Sequence, residues 1–266
     1  MPEGHSIRHL ANVFDEMMVG SKVELSSPQG RFAEQAALLT DRVLEGTHAH
    51  GKHLFLRFGQ DANIHIHLGL YGWLYFEHRE DSAAPKDSVR LRMKTADYVA
   101  DLIGPTACEL VTDVEVDNKC VKLGPDPIHE SADKELAWAK IKKSSRSIAS
   151  LLMNQAVIAG IGNVYRAEVL FVTKTDPFIP GSQITREKFD RIWSLSSELL
   201  RDGSKDGKIR TVAREHLTGE EVSWHGCAQF SYAYKRTGNP CRICSTPIKH
   251  GEVDGRVLYW CPSCQG

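Results

Sequence analysis

Two sets of residues in this chain could do chemistry, and they lie near its two ends. The first is Met1-Pro2-Glu3-Gly4-His5. Removal of Met1, which a small second residue permits, leaves the secondary amine of Pro2 as the chain end, with a carboxylate beside it. An α-amino group has an unperturbed pKa of about 8, so part of it is unprotonated near neutral pH without the burial a lysine would need. Such an amine attacks an aldehyde-like carbon and forms an iminium, with Glu3 at hand as an acid. Many chains also begin Met-Pro and make no chemical use of it, so the rest of the sequence has to support the reading.

The second set is Cys241-x2-Cys244 and Cys261-x2-Cys264, sixteen residues apart, which matches four-thiolate zinc spacing. With all four positions filled by protein the metal keeps no open site for water, so its expected role is structural. A tail of fewer than about 40 residues cannot fold on its own core, and zinc supplies the missing stability. Iron-sulfur or redox use of the same thiols stays open at this point. Between the pairs lies Gly255-Arg256, where a hairpin held by the metal would present an arginine rigidly. Cys108, Cys120 and Cys227 have no such spacing and are expected to be small core residues.

Several elements are needed to hold these residues. Ile7, Leu10, Ala11, Phe14, Met17 and Met18 recur at helical spacing and end at Gly20, so an amphipathic helix directly follows the amine. From Lys22 to about Leu110 the pattern changes to short alternating runs, such as Leu54 to Phe58, Ile64 to Leu68 and Val89 to Lys94, parted by turn formers. That is the pattern of an antiparallel sandwich or barrel. Gly51-Lys52 places a lysine at the mouth of one strand. Gly69-Leu70-Tyr71-Gly72 puts two apolar side chains on a loop tip, where insertion into a base stack is one use for them and folding back is the ordinary one. His65 and His67 share a strand face without an evident third ligand, and are expected to be solvent-facing or hydrogen-bonded.

The polar stretch 113–130, with Gly124-Pro125-Asp126-Pro127 inside it, reads as a linker. Helices are expected near 133–143, 147–159, 164–171 and 185–201. Gly160-Ile161-Gly162-Asn163 before the third of these could leave backbone N–H groups for an anion such as a DNA phosphate, although Gly-x-Gly alone is most often a tight helix-helix turn.

Composition limits the function classes. The chain of 266 residues is 41% hydrophobic and 25% charged, with a net charge of −1. It is long enough for one large or two modest domains. The charge argues against a protein that coats nucleic acid by bulk attraction but leaves room for basic faces around Lys140 to Arg146 and Lys235 to Arg256. No apolar run approaches the ~18 residues of a membrane span. No signal-peptide pattern is present, so the expected compartment is the cytoplasm, with seven reduced or metal-bound cysteines.

Taken together these motifs resemble the formamidopyrimidine-DNA glycosylase and endonuclease VIII family of base-excision repair enzymes. The likeness spans the chain: Met-Pro-Glu-Gly at the start, Gly51-Lys52, Leu123-Gly124-Pro125-Asp126-Pro127, Leu151 to Gln155, Gly160 to Glu168, and Trp260 to Gln265. The start Pro-Glu-Gly-His is most similar to actinobacterial endonuclease VIII-like members. The resemblance implies an α+β protein with several domains. These are a β-sandwich catalytic domain with an N-terminal helix over 1–112, a linker over 113–130, a helix-two-turns-helix domain over 131–228 and a zinc-finger hairpin over 229–266.

It also implies roles. Pro2 would attack C1′ of a damaged nucleotide whose base is turned out of the stack. Glu3 would be the acid that opens the sugar ring, and Lys52 would contact phosphate and assist elimination. Asn163 and Arg256 would grip phosphates around the lesion, which counts Arg256 with both the catalytic and the DNA-binding residues. Leu70 and Tyr71 would fill the gap, and Lys122 would face DNA. One structural zinc would sit on Cys241, Cys244, Cys261 and Cys264. Damaged DNA is the expected partner, reached at the bacterial nucleoid, with no membrane, no nucleotide cofactor and a monomeric state.

Three departures from the family pattern bear on these roles. His5-Ser6 stand where many members have Pro-Glu. Gly69 replaces a frequent polar gap filler, and Lys122 stands where an arginine is common, which keeps the charge and loses the bidentate fork. The expected activity is glycosylase and lyase action on oxidised pyrimidines. The alternatives are an oxidised-purine enzyme of the same family and a non-enzymatic zinc-finger DNA-binding module.

Overall fold

The computed structural model describes residues 2–217 and 230–266, so Cys227 and the expected boundary at 228/229 lie outside the described residues. The chain divides into two compact units, Met1–Lys122 and Leu123–Gly266.

The first unit opens with α1 (Gly4–Met17), which buries Ile7, Ala11 and Phe14 along one stripe. Nine strands follow: β1 (Lys22–Ser26), β2 (Arg42–Val43), β3 (Gly46–His50), β4 (His53–Arg57), β5 (Asn63–His67), β6 (Trp73–His78), β7 (Val89–Lys94), β8 (Tyr98–Ile103) and β9 (Ala107–Val111). They form two antiparallel sheets, ordered β2-β1-β7-β8-β6 and β3-β4-β5-β9. Alternation decides what each face does. Leu54, Leu56, Ile64 and Ile66 turn inward to a core shared with Val23, Leu91, Met93, Leu102 and the α1 stripe. One short helix inside the strand region, α2 (Ala33–Leu39), was not expected; its buried Ala36 and Leu39 join the same core.

The expected linker carries a helix in its first half. In α3 (Asp113–Val121), Thr112 and Glu115 form a reciprocal capping box. The helix lies over the outer face of the four-stranded sheet: Asn63 Nδ2 donates to Asp113 at 2.7 Å and Lys119 Nζ to Glu109 at 3.1 Å. Polarity alone misled here, because a helix resting on a polar sheet face needs no apolar stripe. Cys108 is partly buried against the core, and burial pushes its thiol up to about 12. Cys120 is half-buried on α3 beside His48, outside the core, contrary to expectation.

The second unit contains α4 (Lys134–Lys142), α5 (Ile148–Met153), α6 (Asn163–Val172), α7 (Arg186–Asp206) and the hairpin β10 (Lys249–Val253) with β11 (Arg256–Trp260). Helix α5 stops well short of residue 159, because Asn154 leaves helical geometry and its side chain accepts from Ala156 N at 3.0 Å. Helix α7 runs past 201, since Gly203 and Ser204 continue its buried face, and it ends at Gly207 with φ 74°. Among the described residues no helix is long and apolar enough to cross a membrane.

Candidate active site and metal centre

In the first unit Pro2 is half-buried and Glu3 is fully buried, immediately before α1. Glu3 has extended backbone, and its carbonyl accepts from Ser6 N and Ile7 N to start the helix. A carboxylate at this end meets the positive pole of the helix, where negative charge is favoured. The next two positions are buried as well, and His5 Nε2 lies 3.0 Å from Ser6 Oγ. The departure from Pro-Glu therefore places a packed imidazole, and no second acid, behind the amine.

Lys52 comes from a turn. His50 and His53 face each other in the β3–β4 ladder, leaving Gly51-Lys52 as a two-residue hairpin loop. Gly51 has φ 59°, the left-handed value that such turns demand of their first central residue. Helix α1 packs on β3 and β4, and Thr47 on β3 donates to Asp15 on the helix at 2.8 Å. The elements that carry Glu3 and Lys52 are thus in direct contact.

The outer face beside Lys52 holds a hydrogen-bonded chain. Lys119 donates to Glu109, Glu109 lies 3.2 Å from His65 Nδ1, and His65 Nε2 lies 2.8 Å from His53 Nδ1. Burial first, then neighbouring positive charge, lowers His53 to about 3. Burial and Lys52 likewise depress His67. His65 is hydrogen-bonded as expected and almost wholly buried. Among the described residues the group of side chains placed to hold a metal is that of the four cysteines.

Leu70 and Tyr71 project from the β5–β6 turn, 47% and 80% exposed, which is the extended arrangement and not the folded-back one. Gly69 has φ 65°, and a Cβ there would collide with the Thr106 hydroxyl; a Cβ on Gly72 would meet the Leu68 backbone. The loop geometry thus accounts for glycine where a polar gap filler is common. Lys122 is exposed just past the end of α3.

In the second unit Gly124 packs backbone to backbone on the turn after α5: its N–H donates to Gln155 O at 2.8 Å, and a Cβ would strike Val157. The Gln155 side chain spans the glycine turn, accepting from Gly160 N and donating to Ile161 O. This delivers Asn163 at the start of α6. Asn163 Nδ2 donates to Val257 O at 2.9 Å, and the buried Arg166 donates to both Asn163 Oδ1 and Val257 O. Asn163 and the strand that begins with Arg256 are therefore joined directly, while the Arg256 side chain is exposed.

Sequence reasoning missed two anchors in this unit. Buried Glu168 accepts from the N–H groups of Tyr232, Ala233 and Tyr234 and from the Thr211 hydroxyl, which holds the segment before the cysteines on α6. Asp254 accepts from Ser150 and Arg146. The Asp254-Gly255 dipeptide, a hairpin signal, could have pointed to the latter.

The four thiols of Cys241, Cys244, Cys261 and Cys264 converge within 4.8 Å of one another. Sulfur pairs at 3.4 and 3.9 Å approach the ~3.8 Å edge of a tetrahedron with Zn–S bonds of about 2.3 Å. Ile243 N and Cys264 N each point at a cysteine sulfur at 3.4 Å, as donors to a thiolate would. The donor set fits zinc, and all four positions are protein, so the ion would be structural.

A two-sheet unit opening with Pro2 and the buried Glu3, followed by a helical unit with a four-thiolate hairpin, has the architecture of the Fpg fold of DNA repair proteins. The chain belongs to the formamidopyrimidine-DNA glycosylase family: residues 1–102 match its N-terminal domain and 123–214 its H2TH domain. It is 43% identical to "Endonuclease 8 1" of Mycobacterium tuberculosis over 268 aligned residues, covering all of both chains. It is 35% identical to "Formamidopyrimidine-DNA glycosylase" of Prochlorococcus marinus over 144 residues, covering 54% of this chain and 48% of the other. Among solved structures, wild-type Lactococcus lactis Fpg (MutM) in complex with DNA containing an oxidised pyrimidine superposes with a TM-score of 0.81, at 26% identity over 99% of each chain.

Proposed function

We propose that this DNA glycosylase excises oxidised pyrimidines and then cleaves the strand through its own lyase activity. The observation that carries the reading is the fully buried Glu3 at the start of α1, directly beside Pro2. Burying a carboxylate is costly, and a protein that only bound DNA would gain nothing from it. The pyrimidine preference is supported by the endonuclease 8 name of the full-length mycobacterial relative.

In this mechanism the Pro2 nitrogen bonds to C1′ of the extruded nucleotide. The glycosidic C1′–N bond breaks and the base leaves with a proton. Glu3 protonates the ring oxygen as the C1′–O4′ bond opens, giving an iminium between Pro2 and the sugar. The iminium acidifies the C2′ hydrogen; its loss expels the 3′ phosphate, and a second elimination expels the 5′ phosphate. Lys52 contacts phosphate and assists proton transfer, Asn163 and Arg256 hold the phosphates around the lesion, and Lys122 adds a charge facing DNA. Leu70 and Tyr71 fill the space left by the base, a role their exposure supports. Zinc on the four cysteines stabilises the hairpin and takes no part in the reaction. Residues 1–112 act as the catalytic domain, 113–130 as the connector, 131–228 as the helix-two-turns-helix domain and 229–266 as the zinc finger, working on the chromosome in a bacterial cytoplasm.

Borohydride reduction during incubation with an abasic-site oligonucleotide tests the reading. Mass mapping is expected to place the adduct on Pro2; an adduct on Lys52, or none with Pro2 confirmed as the free terminus, overturns it. An oxidised-purine preference is the second reading, supported by the formamidopyrimidine-DNA glycosylase relative. Side-by-side cleavage of duplexes carrying an oxidised pyrimidine or oxidised guanine separates the two, and faster excision of the purine would decide for the second.

A further inference from the structure

The β10–β11 hairpin is tied to the helices at its tip as well as along its strand. Val253 and Arg256 face each other in the ladder, so Asp254 and Gly255 are the two central residues of the turn. Both have positive φ, 52° and 70°, as a type I′ hairpin turn requires. One carboxylate oxygen of Asp254 accepts from Ser150 Oγ at 2.5 Å and from the Arg146 guanidinium at 2.7 Å. The Ser150 hydroxyl and then Arg146 hold this carboxyl below its usual range. Ser150 itself is buried on α5. On the other side of Arg256, the Val257 carbonyl is held by Asn163 and Arg166. Arg256 therefore sits between two anchors, at 254 and 257, with its own side chain exposed.

We infer that Asp254 is a positioning residue for Arg256: its bonds to Ser150 and Arg146 fix the direction in which the hairpin presents the guanidinium to the DNA backbone. The inference rests on the reading of Arg256 as a phosphate-gripping residue. Stability is a poor account of the anchor, because the Arg146–Asp254 pair is half-exposed and such pairs add little to folding. Electrostatics alone predicts the opposite sign. Deleting Asp254 removes a negative charge two residues from Arg256 and releases Arg146, and both changes should strengthen attraction to a polyanion. Weaker engagement of DNA on removing an acid is thus a signature of lost positioning.

The test uses the full chain loaded with zinc and four variants: Asp254→Ala, Ser150→Ala, Arg256→Ala and the double Asp254→Ala/Arg256→Ala. Steady-state cleavage of an abasic-site duplex is measured, with zinc content and melting temperature as folding controls. The expected result is a KM raised about tenfold by Asp254→Ala and about threefold by Ser150→Ala, with kcat within about twofold of the parent. In the Arg256→Ala background, Asp254→Ala is expected to add nothing further. Full additivity of the two substitutions overturns the inference, as does an unchanged or lowered KM for Asp254→Ala. If Arg256→Ala itself behaves as the parent, the reading of Arg256 fails, and the inference falls with it. Should Asp254→Ala not retain zinc, Ser150→Ala decides, since it keeps every charge: an unchanged KM there overturns the positioning role.

Discussion

Two hairpins in this molecule use the same local device and are held in place by different forces. In one, a two-residue loop between His50 and His53 presents Lys52; in the other, a loop between Val253 and Arg256 precedes the exposed Arg256. Each loop has a glycine at positive φ. The first hairpin is half of a four-stranded sheet whose inward side chains, Leu54, Leu56, Ile64 and Ile66, lie in a large apolar core. The second is a two-stranded ribbon, which is marginal in water by itself. Leu258 beneath it and the four cysteines support it, and polar anchors to α5 and α6 fix its direction. Turn chemistry thus sets the shape of a presenting loop, and the support behind it decides how its failure is felt. Loss of support in the first unit should unfold the unit, whereas loss in the second should release one arm.

The largest effect that would sharpen this contrast is zinc removal. Chelation, or Cys261→Ser, is expected to lower affinity for abasic-site DNA by at least about a hundredfold, because the metal supplies most of the folding free energy of so small an element. Circular dichroism of the sheet region should change little. Collapse of the whole fold on chelation would break the comparison.

Next in size, Leu56→Ala in β4 removes a fully buried side chain and is expected to cost about 2–5 kcal/mol of global stability in denaturant unfolding. A cost near zero would mean that the β3–β4 hairpin is not held by the core.

Smaller is the matched pair Gly51→Ala and Gly255→Ala. Each forces an L residue to positive φ, at roughly 1–2 kcal/mol. The first should appear in the melting temperature. The second should appear mainly in DNA affinity, since its turn belongs to an arm and a Cβ there meets nothing within 4 Å.

The smallest expected effect near neutral pH is a pH dependence confined to the first unit, which grows as the pH falls. His53 is lowered from 6.5 to about 3, mainly by burial, so between these values the unfolded chain binds the extra proton and the folded chain does not. Its contribution is present above about pH 6.5 and is lost as pH falls towards 3. His53→Phe should flatten the decline of stability across that window. An unchanged slope would show that burial does not keep the ring neutral.

Much of the fold and site is legible in the residues themselves. Periodicity places α1 and the strands because alternation and the 3.6-residue stripe report directly which face meets the core. The cysteine spacing specifies its ligand set because a tetrahedral ion accepts few arrangements of two short loops. The same reasoning fails at α3, whose partner is the polar outer sheet face, and at α5, which Asn154 ends through a side-chain bond that competes with the helix.

The sequence by itself determined the chemistry available to this protein: an amine beside a carboxylate, a lysine and an arginine at glycine-marked turns, and four thiolates at metal spacing. These are properties of residue type and short separation, which the chain carries before it folds. The tertiary structure decided the environment of each group. It buried Glu3 at the pole of α1, linked Lys119, Glu109, His65 and His53 from four elements, and brought Ser150 and Asp254 together across more than a hundred residues. Burial and long-range hydrogen bonds depend on which surfaces are excluded from water together. No local pattern encodes that, so only the folded chain could settle it.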